Sequence, residues 1–332
     1  MVSLARRRAA AQLLDGAGGR TGAEVVAHLL AVQAQDPRSW PLALGARGAR
    51  GGGADPAAAI AAAAGAPGAD GAAGAAGAAA PDGSTFAAEG LVLAWLLRGT
   101  LHVVAADDLP WLFALCGRLT ERTSMRRLAQ LGVDPAATAE VLRALDGGPL
   151  TRSELAAALD AAGVRSDGQR TPHLVALAAA RGQLLPGLDG RYRRVTPPPP
   201  VDREAAMAEL ARRYLRGHGP ATDRDLAAWS GLPLRDARSG LAAIAGELAA
   251  DPDGLVDLAG RPAAPRRPLP EVLLPAFDPY LLGWRDRSFA VPPAHARSVH
   301  PGGGVIRATI VADGVVTGTW RRDRGRVLRE PF

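Results

Sequence analysis

Gln33 and Gln35 stand one alanine apart in LLAVQAQDP, residues 29–37, and that spacing decides whether they can act together. On a helix, residues two apart point about 200° away from each other, whereas in an extended segment they share one side. Asp36-Pro37 favours the extended form, because a proline ring disfavours the helical region for the residue before it. Two neutral amides then project together into whatever lies opposite. Glutamine does not titrate and is no general base, yet it can hold a water or a substrate oxygen in place. Taken alone, the pair reads as ordinary polar surface at the end of an apolar helix.

The remaining candidates are cations and hydrogen-bonding groups. In GLVLAWLLRGTLHVV, residues 90–104, Arg98, Thr100 and His102 alternate with Gly99, Leu101 and Val103. That is the pattern of one strand showing its polar residues on one face, and it makes Arg98 and His102 candidates for lining a channel. For His102 the alternative is a satisfied structural histidine. Arg170 and His173 fall at the start of a possible recognition helix, and Arg285 and Arg287 lie two apart in DPYLLGWRDRSF, residues 278–289. His28, His102, His173, His218, His295 and His300 show neither an HExxH pattern nor paired spacing. No metal and no cofactor are expected. Cys116 is the one cysteine, which excludes an intramolecular disulfide framework and a cysteine-based zinc ribbon and suits a reducing cytoplasm.

These residues are carried by a chain of 332 residues, enough for two or three units of ordinary size, with a net charge of +6. It contains no Lys and no Asn, so every fixed side-chain cation is an Arg, suited to planar contacts with phosphate or carboxylate. A basic balance of this kind points first to nucleic acid. The start, MVSLARRRAAAQLLDGAGG, is a poor signal peptide and a reasonable first helix. No run of about 18 strongly apolar residues marks a membrane span.

Helical spacing covers 3–14 and 23–32, with Thr21 and Glu24 in capping-box register for the second helix. Residues 51–80 are almost wholly Ala and Gly and read as a helix interrupted by a flexible insert. Residues 106–131 read as one amphipathic helix with Pro110 in its first turn. Two later stretches follow helix-turn-helix order. The first has a capping box at Thr151 and Glu154, a helix over 169–181 and an Asp189-Gly190 turn that suits a wing. A proline run, 197–200, separates it from the second, with helices over 202–215, 223–229 and 234–244. Beyond Glu271 the pattern turns to strands over 273–277 and 304–320, with an Asp313-Gly314 hairpin signal. Arg321, Arg322, Arg324 and Arg326 follow the last strand as a solvated rim. The fold expected is α+β.

Four stretches in order, LLAVQAQDP with WPLALGAR, WLLRGTLHVVAADDLPWL, LARRYLRGHGPATDRDLAAWSGL and LLPAFDPYLLGWRDRS, resemble the winged-helix DNA glycosylases of the AlkZ and YcaQ type. The resemblance implies tandem winged-helix units around a concave DNA channel with a β-rich carboxyl-terminal part. It implies an N-terminal region 1–145 carrying the two glutamines, a second winged helix and linker 146–200, a third winged helix 201–265 and a β-rich part 266–332. It further implies a monofunctional DNA glycosylase that removes alkylated purines and unhooks interstrand crosslinks. Gln33-Ala34-Gln35 matches the Gln-apolar-Gln motif of the AlkZ-like branch, where the YcaQ-like branch has Asp in the second place. That branch is associated with self-resistance to DNA-alkylating natural products. The Ala/Gly insert departs from the family, and relatives usually continue past Pro331-Phe332 into a terminal helix.

Two glutamines suffice for such chemistry if the substrate is already activated. A purine alkylated on N7 or N3 carries positive charge and leaves as a neutral base, so a placed water is the main requirement. Positioning alone is worth on the order of 7 to 11 kcal/mol in the best intramolecular models. Oriented amide oxygens would also favour the developing cation. A crosslinked base cannot be swung into a closed pocket as glycosylases usually do, so an open trough with arginines on phosphates is expected. The partner expected is double-stranded DNA carrying alkylated or crosslinked purines, with no membrane, the protein acting as a monomer in the cytoplasm at the nucleoid. The competing readings are a winged-helix transcription regulator without catalysis, which needs an operator and usually a dimer, and a non-catalytic DNA-binding scaffold.

Overall fold

The computed structural model describes residues 2–49, 89–324 and 326–332. The insert expected as an interrupted helix, 51–80, lies outside the described residues. Local rules account for the first elements. Ser3 Oγ accepts the Arg6 amide and starts α1, Leu4–Ala11. Thr21 and Glu24 form the expected capping box and open α2, Gly22–Leu29. Leu30 then adopts φ 70°, ending the helix, and the chain extends as β1, Val32–Gln33. The Asp36 carboxylate accepts from Arg38 N at 2.9 Å and Ser39 Oγ at 3.0 Å, turning the chain into α3, Ser39–Gly45, which the residue pattern does not announce.

The single strand expected over 90–104 is a hairpin instead. β2, Leu91–Trp95, and β3, Leu101–Ala105, pair antiparallel, and β1 adds to β3, giving the order β1-β3-β2. Arg98 and Gly99 make the reversal with φ of 54° and 71°, values a continuous strand excludes. The helix expected over 106–131 is also divided. α4, Leu109–Cys116, and α5, Glu121–Gln130, are separated by a 3-10 segment, Gly117–Thr120. A Cβ on Gly117 would lie 2.2 Å from the Phe113 ring, so the break depends on that close packing.

The same order then recurs. α6, Thr138–Leu145, α7, Arg152–Ala161, and α8, Arg170–Ala180, lead into a hairpin of β4, Leu184–Pro186, and β5, Tyr192–Arg194. α9, Arg203–His218, α10, Asp223–Ser230, and α11, Leu234–Ala243, lead into β6, Leu248–Ala250, and β7, Val256–Leu258. In both, a residue before the middle helix bridges antiparallel to the hairpin's second strand: Leu150 to Tyr192 and Ala221 to Val256. Val32 and Gln33 bridge to Val103 and His102 in the same way. Helix, short strand, helix, helix and hairpin is winged-helix order. The turn 96–100 thus holds the place of a wing tip, as 187–191 and 251–255 do.

The carboxyl-terminal sheet has the order β11-β10-β9-β8, from β8, Val272–Leu274, β9, Thr309–Ala312, β10, Val315–Asp323, and β11, Arg326–Pro331. Asp313 and Gly314 form the expected hairpin turn. Arg321 and Arg322 are not beyond the last strand: they belong to β10 and pair with Leu328 and Val327 of β11. The DPYLLGW part of the last motif is internal. Asp278 and Arg47, both with fully buried side chains, form an ion pair at 2.8 Å. Gln12 links it to α9, its Oε1 accepting from Arg47 and its Nε2 donating to Gly217 O. Tyr280 OH donates to Gly314 O at 2.6 Å and Trp284 Nε1 to His218 O at 3.0 Å. The fold is α+β, as expected. No helix among the described residues is long and apolar enough to cross a membrane.

Candidate functional site

Among the described residues β1 is an edge strand. Gln33 is half-buried and Gln35 exposed, while Val32 and Ala34 are buried. Pairing continues past β1, where Ala34 N–H donates to Leu101 O at 2.8 Å. The alternation is that of extended chain, so the two amides stand on one side of it.

The first hairpin turn holds both. Arg98 Nη2 donates to Gln33 Oε1 at 3.0 Å, and Leu101 N–H donates to Gln35 Oε1 at 3.1 Å. A guanidinium and a peptide N–H can only donate, so each glutamine turns its oxygen to the protein. Each amide then has two N–H donors on Nε2 and one lone pair of Oε1 left for a ligand.

Arg98 itself is pinned. Its Nη1 donates to Trp229 O at the end of α10. Gly231, at φ 77° in the turn from α10 to α11, lies so near that a Cβ there would be 2.9 Å from the Arg98 backbone. On the other side, a Cβ on Gly99 would be 2.5 Å from the Thr120 methyl group, at the start of α5. Burial first, and then repulsion from Arg287, holds the Arg98 guanidinium down to about 10. Burial also lowers Arg287, partly offset by Asp286, and its Nε donates to Leu281 O. Arg98 thus holds a buried charge against Gln33 and feels the repulsion of Arg287, and among the described residues no ion pair neutralises either. Such a pair suits an anion, and phosphate oxygens match guanidinium geometry.

The other expected residues separate into groups. Thr100 closes the turn, its Oγ1 donating to Leu97 O at 3.1 Å. His102, expected in the lining, is only 2% exposed. Its Nδ1–H donates to Thr100 O at 2.8 Å, and burial, with Arg98 adding repulsion, holds it down to about 3. It is a neutral imidazole inside the sheet layer. Arg285 is exposed in a separate cleft of about 580 Å³ shared with Arg8, Arg224 and Asp286. Arg170 and His173, expected on an open recognition helix, are covered instead. Arg170 pairs with Asp167 at 2.7 Å and donates to Leu131 O, while burial lowers His173. The structure therefore joins Gln33, Gln35, Arg98 and Thr100 at one hairpin, with Arg287 acting on Arg98 through its charge, and places Arg285, Arg170 and His173 elsewhere.

Two cations that no sequence motif marks, Arg38 and Arg322, act on each other near Asp36, the residue after Gln35. Trp320 of β10 packs with Leu42 of α3, and Arg322, two residues on, shares its face. Burial and then the charge of Arg38 lower Arg322, with Asp36 acting the other way, and Arg322 Nη2 is buried without a partner. Alternation from Trp320 is the available signal in the sequence, but it needs the partner of the strand to be known.

Among known proteins, a family model described as DNA glycosylase AlkZ-like matches residues 73–331, a span that begins beyond the two glutamines. No curated protein matches the chain. Among solved structures, the Streptomyces sahachiroi DNA glycosylase AlkZ superposes with a TM-score of 0.71 at 23% identity, over 99% of this chain and 89% of that one. At that identity the likeness speaks for the fold.

Proposed function

Because the chain belongs to the AlkZ-like DNA glycosylase family, and so is an enzyme acting on DNA, we propose that it hydrolyses the N-glycosidic bond of purines made cationic by alkylation at N7 or N3. Gln33 and Gln35 are the water-positioning pair. The observation that carries the proposal is the pinning of the two amide oxygens by Arg98 and by the Leu101 amide that follows the turn, which leaves one oxygen lone pair on each glutamine for a water hydrogen. A water held so has its own lone pair free for the anomeric carbon. As its oxygen bonds to that carbon, the carbon–nitrogen bond breaks and its electron pair neutralises the departing base. The second water proton leaves to solvent.

Arg98 and Arg287 would oppose a sugar turning cationic unless their own charge were met first. Phosphates on either side of the nucleotide meet it, so the cations act on the bound backbone and the neutral amides on the reacting carbon. Since β1 is an edge strand among the described residues and Gln35 is exposed, a base tied to both strands need not be enclosed. We extend the proposal to interstrand crosslinks and to self-resistance against a DNA-alkylating natural product. A regulator has no use for two amides fixed beside unneutralised arginines.

The test is incubation with duplex carrying N7-methylguanine, and separately a nitrogen-mustard crosslink, with abasic sites as the readout. Gln33→Ala and Gln35→Ala should each lose roughly 100- to 1000-fold in kcat, the size of removing one oriented hydrogen-bonding group. Full activity in both variants would refute the assignment. Excision of the monoadduct without release of the crosslink would confine the function to monoadducts.

A further inference from the structure

We propose that α5, the helix Glu121–Gln130, packed over the second winged-helix unit, makes the DNA contact in place of α8, holding two backbone phosphates with Arg122 and Arg126. The inference rests on the DNA-glycosylase function proposed above. In a helix-turn-helix the second helix of the motif ordinarily enters the major groove, and here that helix is α8. No residue of α8 is exposed. α5 lies antiparallel along it: Leu128 is buried with Leu174, Val175, Leu177 and Ala178. At one end Arg181 reaches Glu121 at 3.3 Å; at the other Arg127 donates to Gln169 at 2.7 Å and Arg170 to Leu131 O at 3.2 Å. A groove of DNA cannot reach α8 without removing α5.

The outer face of α5 carries the charge that α8 cannot present. Ser124 and Leu128 point inward, and at 100° per residue Arg122 and Arg126 fall on the opposite line. Both are exposed and, among the described residues, neither has a carboxylate partner, while Arg118 and Arg181 are held by Glu121. The wing of the same unit differs. Its Arg191, Arg193 and Arg194 pair with Glu154, Asp189 and Asp146. Arg122 and Arg126 are about 6 Å apart along the axis, enough for each to take its own phosphate. Thr120, the N-cap residue of this helix, touches Gly99 next to Arg98, so the helix sets out from the turn that holds Gln33.

The experiment is fluorescence anisotropy of undamaged duplex binding across a salt series, with N7-methylguanine excision measured in parallel. Wild type, R122A/R126A, R122K/R126K and the wing variant R191A/R193A are compared. Each phosphate contact contributes about 0.9 to the slope of log affinity against log salt, so R122A/R126A should lower that slope by nearly 2. It should also raise KM with kcat at saturating DNA unchanged. The lysine pair should keep the slope, and the wing variant should change it little. An unchanged slope in R122A/R126A, or a loss appearing in the wing variant in its place, overturns the proposal. If wild type excises the lesion while the slope is unmoved, this inference falls and the proposed function stands. If the slope changes as expected but wild type excises nothing, the phosphate contacts stand and the proposed function falls. Because both arginines are exposed, the melting temperature should hold, and the lysine pair separates charge from folding.

Discussion

At Gln33 and Gln35 the chemistry is set by what their neighbours cannot do. Arg98 and the Leu101 amide have no acceptor to offer, so both oxygens are committed inward and the amide orientation follows without ambiguity. Neither Arg98, bonded to Gln33, nor His102, the partner of Gln33 across the strands, changes charge near neutrality. His102, held down to about 3 by burial, gains a proton only well below pH 5; Arg98, held at about 10, loses one only as pH rises through 10. The expected kcat profile on N7-methylguanine duplex is therefore flat from pH 5.5 to 9, as roughly bounded by those two groups, and falls above that as the Arg98 charge is lost. A bell centred near neutrality would mean that a titrating base removes the water proton, and the two glutamines would no longer suffice. The Gln-apolar-Gln spacing is legible from Pro37 and strand periodicity alone. The role of Arg98 is not, since its bond to Gln33 spans 65 positions and depends on a left-handed residue in a turn.

The turn 96–100 is held from two sides by neighbouring elements. One is the turn from α10 to α11 at Gly231, the other the start of α5 at Thr120. Gly231→Ala puts a Cβ 2.9 Å from the Arg98 backbone at a φ of 77°, a conformation that costs an L-residue about 1–2 kcal/mol before any clash. The expected outcome is a loss of at least that size in denaturant unfolding, together with a lower kcat, because Arg98 moves off Gln33. Gly254→Ala, at φ 76° with open space around its Cβ position, should show the backbone penalty with kcat intact. Equal kcat losses in the two variants would break the link between this turn and the site. Capping boxes at Thr21 and Thr151 form where the residues predict them, because each is complete within four residues. The helix over 106–131 and the strand over 90–104 do not, because Gly117 and Gly99 mark breaks whose partners, Phe113 and Thr120, are recognised only once packed.

Across the molecule, the buried Arg47–Asp278 pair ties the N-terminal elements to the carboxyl-terminal segment, with Gln12 carrying the connection to α9. Removing one partner strands the other charge in the core, which typically costs 3–5 kcal/mol. Asp278→Ala should accordingly lower the unfolding free energy by about that amount, whereas Asp286→Ala, on the exposed side of the same segment, should cost under about 1 kcal/mol. Similar small losses in both would show the pair to be incidental to stability. In LLPAFDPYLLGWRDRS the sequence draws the eye to Arg285 and Arg287, yet most of the segment's bulk is core. Tyr280 and Trp284 are buried, and of the two arginines Arg285 lines the cleft with Arg8 while Arg287 turns back on the segment, its Nε donating to Leu281 O.

Local pattern and composition were enough for the α+β class, the winged-helix order, the shared side of the two glutamines and the need for an anionic partner. Periodicity, caps, prolines and net charge act within a few residues or sum over the chain, and need no contact map. Only packing decided that Arg98 reaches Gln33 while Arg285 lies in another cleft, that His102 is inside, that α8 is covered, and that Arg322 feels the charge of Arg38. Those outcomes depend on which elements lie against each other, where burial and neighbouring charge change what the same side chain can do.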